Sequence, residues 1–233
     1  NGNGFRVNFY PENSKISFHD VGIMTVTYWR PNMDWKKTDH TYSLYYDINF
    51  KDQSTIGLDF RNNYTYLTFP FDPTRSGAEP LPANQGFTYA TFSVEYASNP
   101  AKVFSLTAET SGGEFYSGNS FSASTVLTYR IQPWASLSLN TRYDALRLPD
   151  PHGDADFWLV TPKVDITFSK SVFWSTLVQY SNQRDNLGIN SRLQWRFAPL
   201  SDLYLVYNDN YFTKDFGPKF RSINLKVSYW LNL

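Results

Sequence analysis

The chain has 233 residues, 21 basic and 21 acidic, for a formal net charge of zero, and it contains no cysteine. Balanced charge without a basic cluster argues against nucleic acid as a partner, and the missing thiols exclude disulfides, Cys-ligated zinc and cysteine nucleophiles. Aromatic side chains make up 18% of the chain, yet no apolar run approaches the ~18 to 20 residues of a membrane helix, so apolar side chains alternate with polar ones.

The N-terminal Asn1-Gly2-Asn3-Gly4 carries neither a basic n-region nor an apolar h-region. A removed signal peptide, or a place inside a longer polypeptide, is therefore expected. The first strand is expected from Phe5 to Tyr10. Further on, Tyr42, Leu44, Tyr46, Ile48 and Phe50 oppose Ser43, Asp47 and Asn49, and Leu137, Leu139 and Tyr143 oppose Ser136, Ser138, Asn140, Arg142 and Asp144. The segment Val172 to Tyr180 is apolar on both faces, so its inward side must pack against something. Leu187, Ile189, Leu193, Trp195 and Phe197 then oppose Asn190, Arg192, Gln194 and Arg196. A terminal strand is expected from Ile223 to Leu233, with Ile223, Leu225, Val227, Tyr229, Leu231 and Leu233 on one face. Such a length suits a tilted strand crossing a bilayer, which needs roughly nine to eleven residues, better than a soluble strand.

Short breaks at Pro11 to Ser14, Lys51 to Gln53, Ser98 to Ala101, Gln132 to Trp134, Ser169 to Ser171 and Ala198 to Ser201 take turns with longer ones. The longer ones are Arg30 to Asp39, Pro70 to Gln85, Ser111 to Gly118, Leu148 to Ala155, Asn182 to Asn186 and Thr213 to Lys219. That rhythm predicts a transmembrane antiparallel up-and-down β-barrel of about thirteen visible strands, with tight turns at one rim and loops at the other. Bacterial single-chain barrels have an even strand count with both termini in the periplasm, so about 14 or more strands are expected in the complete barrel. Residues 1–233 are thus expected to be the C-terminal part of a larger barrel, completed by a missing N-terminal segment or a partner protein.

In the C-terminal half the residues become specific. Gly113-Glu114-Phe115-Tyr116-Ser117-Gly118, Tyr129-Arg130-Ile131-Gln132-Pro133, Phe168-Ser169, Gln179-Tyr180-Ser181-Asn182, Asn190-Ser191-Arg192-Leu193-Gln194-Trp195 and Pro199-Leu200-Ser201-Asp202-Leu203-Tyr204-Leu205-Val206-Tyr207-Asn208 follow in order. This string resembles a Bacteroidota family of outer-membrane β-barrel proteins of unassigned function, in which a module similar to a family 9 carbohydrate-binding domain precedes the barrel. The resemblance spans residues 85 to 233 well and the earlier part weakly, through Gly4-Phe5 and Tyr28-Trp29-Arg30-Pro31. It implies a barrel without catalytic residues or cofactors. The sugar-binding module and the upstream half of the family's barrel are not found in this sequence.

On the faces read as inward lie the candidate lumen-lining residues Arg130, Arg142, Asp144, Lys163, Asp165, Arg192, Arg196 and Lys226, together with Asp47, Asp59, Glu95 and Glu109. They would either bias a pore or form a salt-bridge ladder, and the balance of signs favours the ladder. Asp150, Asp154 and Asp156, with His152 between them, form a weak candidate loop for Ca²⁺; Asp, Pro and Gly are equally the residues of a solvated turn, so no metal is expected. Trp29, Trp35, Tyr64, Tyr66, Phe69, Phe71, Phe115, Tyr116, Tyr211 and Phe212 read as a lipid-interface girdle, with Trp35, Phe115 and Tyr116 as candidates for ligand contact from the loops. His19, His40 and His152 fit no zinc pattern and no serine sits in a nucleophile elbow, so no enzyme is expected.

The leading expectation is a non-enzymatic membrane anchor or assembly component in the bacterial outer membrane, surrounded by lipid bilayer and lipopolysaccharide and holding extracellular or periplasmic partners. A pore or transport channel for small hydrophilic or glycan-derived solutes is the alternative. A soluble β-sandwich is the third, and it requires the long apolar face to be buried against a second sheet.

Overall fold

The structure, a computed structural model, describes residues 1–231. The chain is all-β. Its strands are β1 (Gly2–Phe9), β2 (Ile16–Arg30), β3 (Lys36–Phe50), β4 (Thr55–Leu67), β5 (Gln85–Ala97), β6 (Phe104–Phe115), β7 (Gly118–Ile131), β8 (Ala135–Arg147), β9 (Asp154–Thr167), β10 (Val172–Ser181), β11 (Asn186–Ala198), β12 (Ser201–Tyr211) and β13 (Pro218–Ser228). Among the described residues the one helical turn is the 3₁₀ turn Pro31–Met33.

All thirteen strands follow one another in a single up-and-down sheet. The described residues form no second sheet, so the sandwich alternative has no counterpart among them. Every strand from β2 to β13 is 10 to 15 residues long, well beyond the usual ~5 to 6 of a soluble strand. Among the described residues, β1 pairs with β2 alone and β13 with β12 alone.

The chain divides into two compact units. The first holds Asn1–Pro100, Leu106–Ser124 and Tyr143–Asp156. Its cross-strand register puts Arg6, Asp20, Tyr45, Asp47, Asp59, Arg61, Ser93, Glu95 and Glu109 on one face of the sheet, and Val21, Ile23, Leu44, Phe60 and Phe92 on the other. The second unit holds Ala101–Ser105, Thr125–Arg142 and the residues from Phe157 onward. There Lys163, Asp165, Ser175, Arg192, Gln194, Arg196, Asp202 and Lys226 share the polar face, while Val164, Ile166, Leu193, Trp195, Leu203, Leu205, Leu225 and Val227 share the apolar one. The doubly apolar segment resolves the same way. Phe173 and Leu177 lie on the polar face opposite Gln194 and Asn190, and on the other face the Trp174 indole donates to Ser191 Oγ at 2.9 Å.

The apolar face is not a core. Ile23, Leu44 and Phe60 stay about half exposed, and Ile223, Leu225 and Val227 more so. Among the described residues the one buried apolar cluster is Leu67, Leu81 and Phe87, backed by Phe71, Tyr89 and Tyr116. A water-soluble chain of this length would bury most of its large apolar side chains.

Three details depart from the sequence reading. Ser111 to Gly118 is not a long loop: β6 runs on to Phe115, with Gly113, Gly112 and Ser111 paired to Thr91, Phe92 and Ser93 of β5. Gly113 has φ +146, and a Cβ there would fall onto the Ala90 carbonyl and within 2.9 Å of Thr91 Cα. Gly113 thus marks a close strand approach, which in sequence looks the same as a loop. The longer breaks are not uniformly long either; among the described residues, 68–84 form the one extended connection, and residues 116–117 a two-residue turn. Finally, β13 starts at Pro218 and ends at Ser228, the partner of Asp202, because beyond it the Trp230 amide turns to Ser201 Oγ at 3.1 Å. Asn232 and Leu233, the last of the expected terminal strand, lie outside the described residues.

Candidate functional site

In the first unit the polar face is dominated by carboxylates. Asp20, almost wholly buried, meets the Arg6 guanidinium at 2.9 Å, and Arg6 also reaches Asp47 at 3.7 Å. Asp20 stands directly opposite Asp47, and Glu95 directly opposite Glu109. Like charges so placed repel. Asp59 is held by Arg61 at 3.0 Å and accepts from Ser43 Oγ at 2.9 Å. Arg6, Asp20, Asp47, Asn49, Thr55 and Glu95 line an open cleft of about 260 Å³. Asp144, on β8, accepts from Ser122 Oγ.

In the second unit the excess is basic. Arg130 donates to Ser105 Oγ at 3.1 Å and to the Lys102 carbonyl at 3.2 Å. Lys163 pairs with Asp165 at 2.7 Å, and Arg196 lies 3.4 Å from Asp202. Arg192 borders a cleft with Asp165, Trp174, Ser175 and Gln194. Lys226 lies opposite Tyr204 on the same face, and Arg142 lies on β8. Both members of the β11–β12 register, Asn190 and Asn208, are polar and face one another. The neutral net charge of the chain therefore conceals two opposite local excesses, a distribution that a count of signs cannot register.

Residues 68–84 fold back over the first unit. Phe71 and Leu81 bridge each other through their backbones at 3.0 and 2.8 Å, and Leu81 is fully buried against Leu67 and Phe87. Leu67 and Phe87 belong to the register row that carries Asp59, Arg61 and Ser93, so the loop covers the polar face at one end of its strands. Asp72 organises the tip by accepting from the amides of Thr74 and Arg75, both at 2.9 Å, and from Gly77 at 3.3 Å. Burial pushes the Asp72 carboxyl up, but the Thr74 hydroxyl and these amides outweigh it and hold the group below the usual carboxylate range. The buried Thr74 and the Glu79 carbonyl then tie the loop to His152, whose Nδ1 donates to that carbonyl at 2.8 Å.

Of the loop candidates for ligand contact, Trp35 is 69% exposed. Phe115 and Tyr116 instead join Phe71, Phe87 and Tyr89 beneath the loop, with ring centroids 4.7 to 6.0 Å apart. Burial, with Tyr89 and Asp39 nearby, pushes the Tyr116 phenol up to about 12. The three carboxylates weighed for Ca²⁺ are not gathered. Asp156 takes Tyr143 Oη at 2.6 Å and Arg147 at 2.8 Å, and Asp154 takes the Leu148 amide at 3.2 Å. Asp150 lies in the turn that follows β8. Among the described residues no group of three His, Asp or Glu side chains is placed to hold a metal ion.

Two polar clusters escaped the sequence reading, both on the apolar face. Asp209 is fully buried there; it accepts from Arg221 Nε at 2.8 Å and from the hydroxyls of Tyr207 and Tyr211. Near one end of β3, His40 Nε2 is 3.0 Å from Asn62 Oδ1 and its Nδ1 is 3.1 Å from Lys37 Nζ. An ammonium only donates, so Nδ1 accepts and Nε2 carries the proton. Both clusters interrupt an apolar row, and that interruption was the available signal.

No family model matches the chain, and no curated protein matches it. Among solved structures, the Ralstonia pickettii toluene transporter TbuX is similar over 88% of this chain and 75% of that one, at 7% identity and a TM-score of 0.32.

Proposed function

We propose that this chain forms a membrane-spanning part of a non-enzymatic β-barrel in the outer membrane of a Gram-negative bacterium, and that its polar face lines a path for small hydrophilic solutes. The observation that carries the reading is the sorting of side chains by cross-strand register: exposed Ile, Leu, Val, Phe and Trp on one face and charged or amide groups on the other. In water the first face costs free energy; in hydrocarbon it is at home, and the second face belongs against water. Strands of 10 to 15 residues from β2 to β13 suit the thickness of a bilayer crossed at a tilt. On this reading Arg130, Arg142, Asp144, Lys163, Asp165, Arg192, Arg196 and Lys226 border the path, joined by Arg6, Asp20, Asp47, Glu95 and Glu109. The surroundings are lipid and lipopolysaccharide, and the resemblance to Bacteroidota outer-membrane barrels agrees with it.

Local excesses of charge favour a path over a ladder, because a ladder filling the interior pairs opposite signs, whereas Glu95 faces Glu109. A second reading, a membrane anchor for extracellular or periplasmic partners, is favoured by residues 68–84, which cover one end of the first unit's polar face. Planar-bilayer recording of the refolded chain separates the two. Stepwise, ohmic conductance supports the path; insertion without conductance supports the anchor.

A further inference from the structure

We infer that the β3–β4 corner of the apolar face, built from Trp35, Lys36, Lys37, His40, Tyr64 and Tyr66, binds the phosphorylated headgroup of an outer-leaflet glycolipid. The inference rests on the membrane reading above. Lys36 Nζ stands 3.5 Å above the Tyr66 ring and Lys37 Nζ 4.8 Å from the centre of the Tyr64 ring. Tyr64 and Tyr66 are alternate residues of β4, so two ammonium groups are held side by side over successive rings of one face. Each ring attracts the cation through its quadrupole and removes rotamer freedom before any ligand arrives.

The platform below is fixed from several directions. His40 stacks on Tyr42 at 4.1 Å with planes 4° apart and lies 5.7 Å from Tyr64. Tyr64 reaches diagonally across Gly86, the register partner of Tyr66 on β5, where a Cβ would collide with the Tyr64 ring at 2.8 Å. His40 takes one proton of Lys37; the remaining ammonium protons of Lys37, and all of those of Lys36, meet no hydrogen-bond partner or carboxylate among the described residues. That separates these lysines from Lys219, which stands over Phe212 but is spent on the carbonyls of Arg184 and Asp185, and from Arg221, which is neutralised by Asp209.

Chemistry chooses the occupant. Two unneutralised ammonium groups call for phosphate oxygens. Trp35, exposed and next to Lys36 in the chain, offers a flat apolar surface to a sugar ring. Along the same face Tyr42, Leu44 and Phe60 follow, each 42 to 52% exposed, as a bed for acyl chains. Phosphate, sugar and acyl chain in that order describe an anionic glycolipid, and a free phosphate would leave the last two surfaces unused. Among the described residues no cation lies over a ring at the other end of this face, where Phe9 stacks on His19.

The test places the full chain in phosphatidylcholine nanodiscs doped with bis-phosphorylated lipid A and measures lipid A retained by the purified chain, with heat-modifiable migration as a separate report of insertion. Wild type retains lipid A; K36Q/K37Q retains about tenfold to thirtyfold less, the loss expected for two lysines at an anionic surface. K36R/K37R restores retention, K51Q at the opposite end of β3 leaves it unchanged, and dephosphorylated lipid A is not retained. Equal retention by wild type and K36Q/K37Q, with insertion intact, overturns the site and leaves the membrane reading standing. Displacement by equimolar inorganic phosphate also overturns it, in favour of a simple phosphate site. Failure to insert overturns both.

Discussion

Arg221 and Asp209 face each other across β12 and β13 on the apolar side of the sheet, 2.7 Å apart, the carboxylate fully buried and the guanidinium more than half exposed. The pair is completed by Tyr211, whose hydroxyl accepts from Arg221 Nη2 at 2.9 Å. A charge on this face survives because its partner and two phenols surround it.

Removing one member therefore costs more than removing both. R221M leaves the Asp209 carboxylate buried without its counter-ion, and the temperature at which the folded form unfolds in detergent drops by several degrees or more. D209N/R221M recovers part of that loss. Heat-modifiable gel migration across a temperature series reads both.

Gly113 is the strained position of the β5–β6 approach. With φ +146 and the Ala90 carbonyl where a Cβ would sit, G113A destabilises by about 1 to 3 kcal/mol. G77A, also at positive φ but in open space, costs less. Urea unfolding in detergent micelles distinguishes them, and an equal cost would mean that the close approach contributes nothing.

How far the fold was legible depended on where the alternation was clean. In β11 and β13 the odd and even residues separate without exception from Leu187 to Asn190 and from Ile223 to Val227, and their faces are those the alternation predicts. Ser111 to Gly113 misled because glycine serves a loop and a tight strand contact alike. Lys36 and Tyr66 are 30 positions apart, and only the β3–β4 register, His40 against Tyr64, brings them together. Asp209 and Arg221 were hidden for a related reason: each breaks the apolar alternation of its own strand, and pairing across the strands is what makes the two breaks one feature.

Tyr116 carries a pH signature. Its phenol is raised to about 12 from the ordinary 10.0, chiefly by burial. An acid whose folded pKa is raised binds its proton more tightly when folded, so stability is unaffected below the ordinary phenol value and falls as pH climbs from there toward the folded one. Partial exposure of the ring moderates the size of the fall. Y116F removes this component, which shows as a shallower loss of stability at alkaline pH and as one fewer late-titrating phenol in the tyrosinate absorbance. Identical alkaline profiles for both proteins would contradict it.

Glu95 and Glu109 stand directly opposite each other across β5 and β6. E109Q relieves that repulsion and raises stability by about 0.2 to 1 kcal/mol. If the polar face lines a solute path, the same change lowers the preference for cations over anions in bilayer reversal potentials. A gain in stability with unchanged ion preference would assign Glu109 to packing alone.

The absence of cysteine from the chain lets the two faces of β13 be probed one residue at a time. Single cysteines placed in turn at Ile223, Asn224, Leu225, Lys226 and Val227 are exposed to a membrane-impermeant maleimide after reconstitution into vesicles. With one face in lipid, reactivity alternates strictly: Asn224 and Lys226 positions react, while Ile223, Leu225 and Val227 positions are protected until the protein is denatured. Equal reactivity at all five positions in intact vesicles would contradict a sheet with one face in lipid.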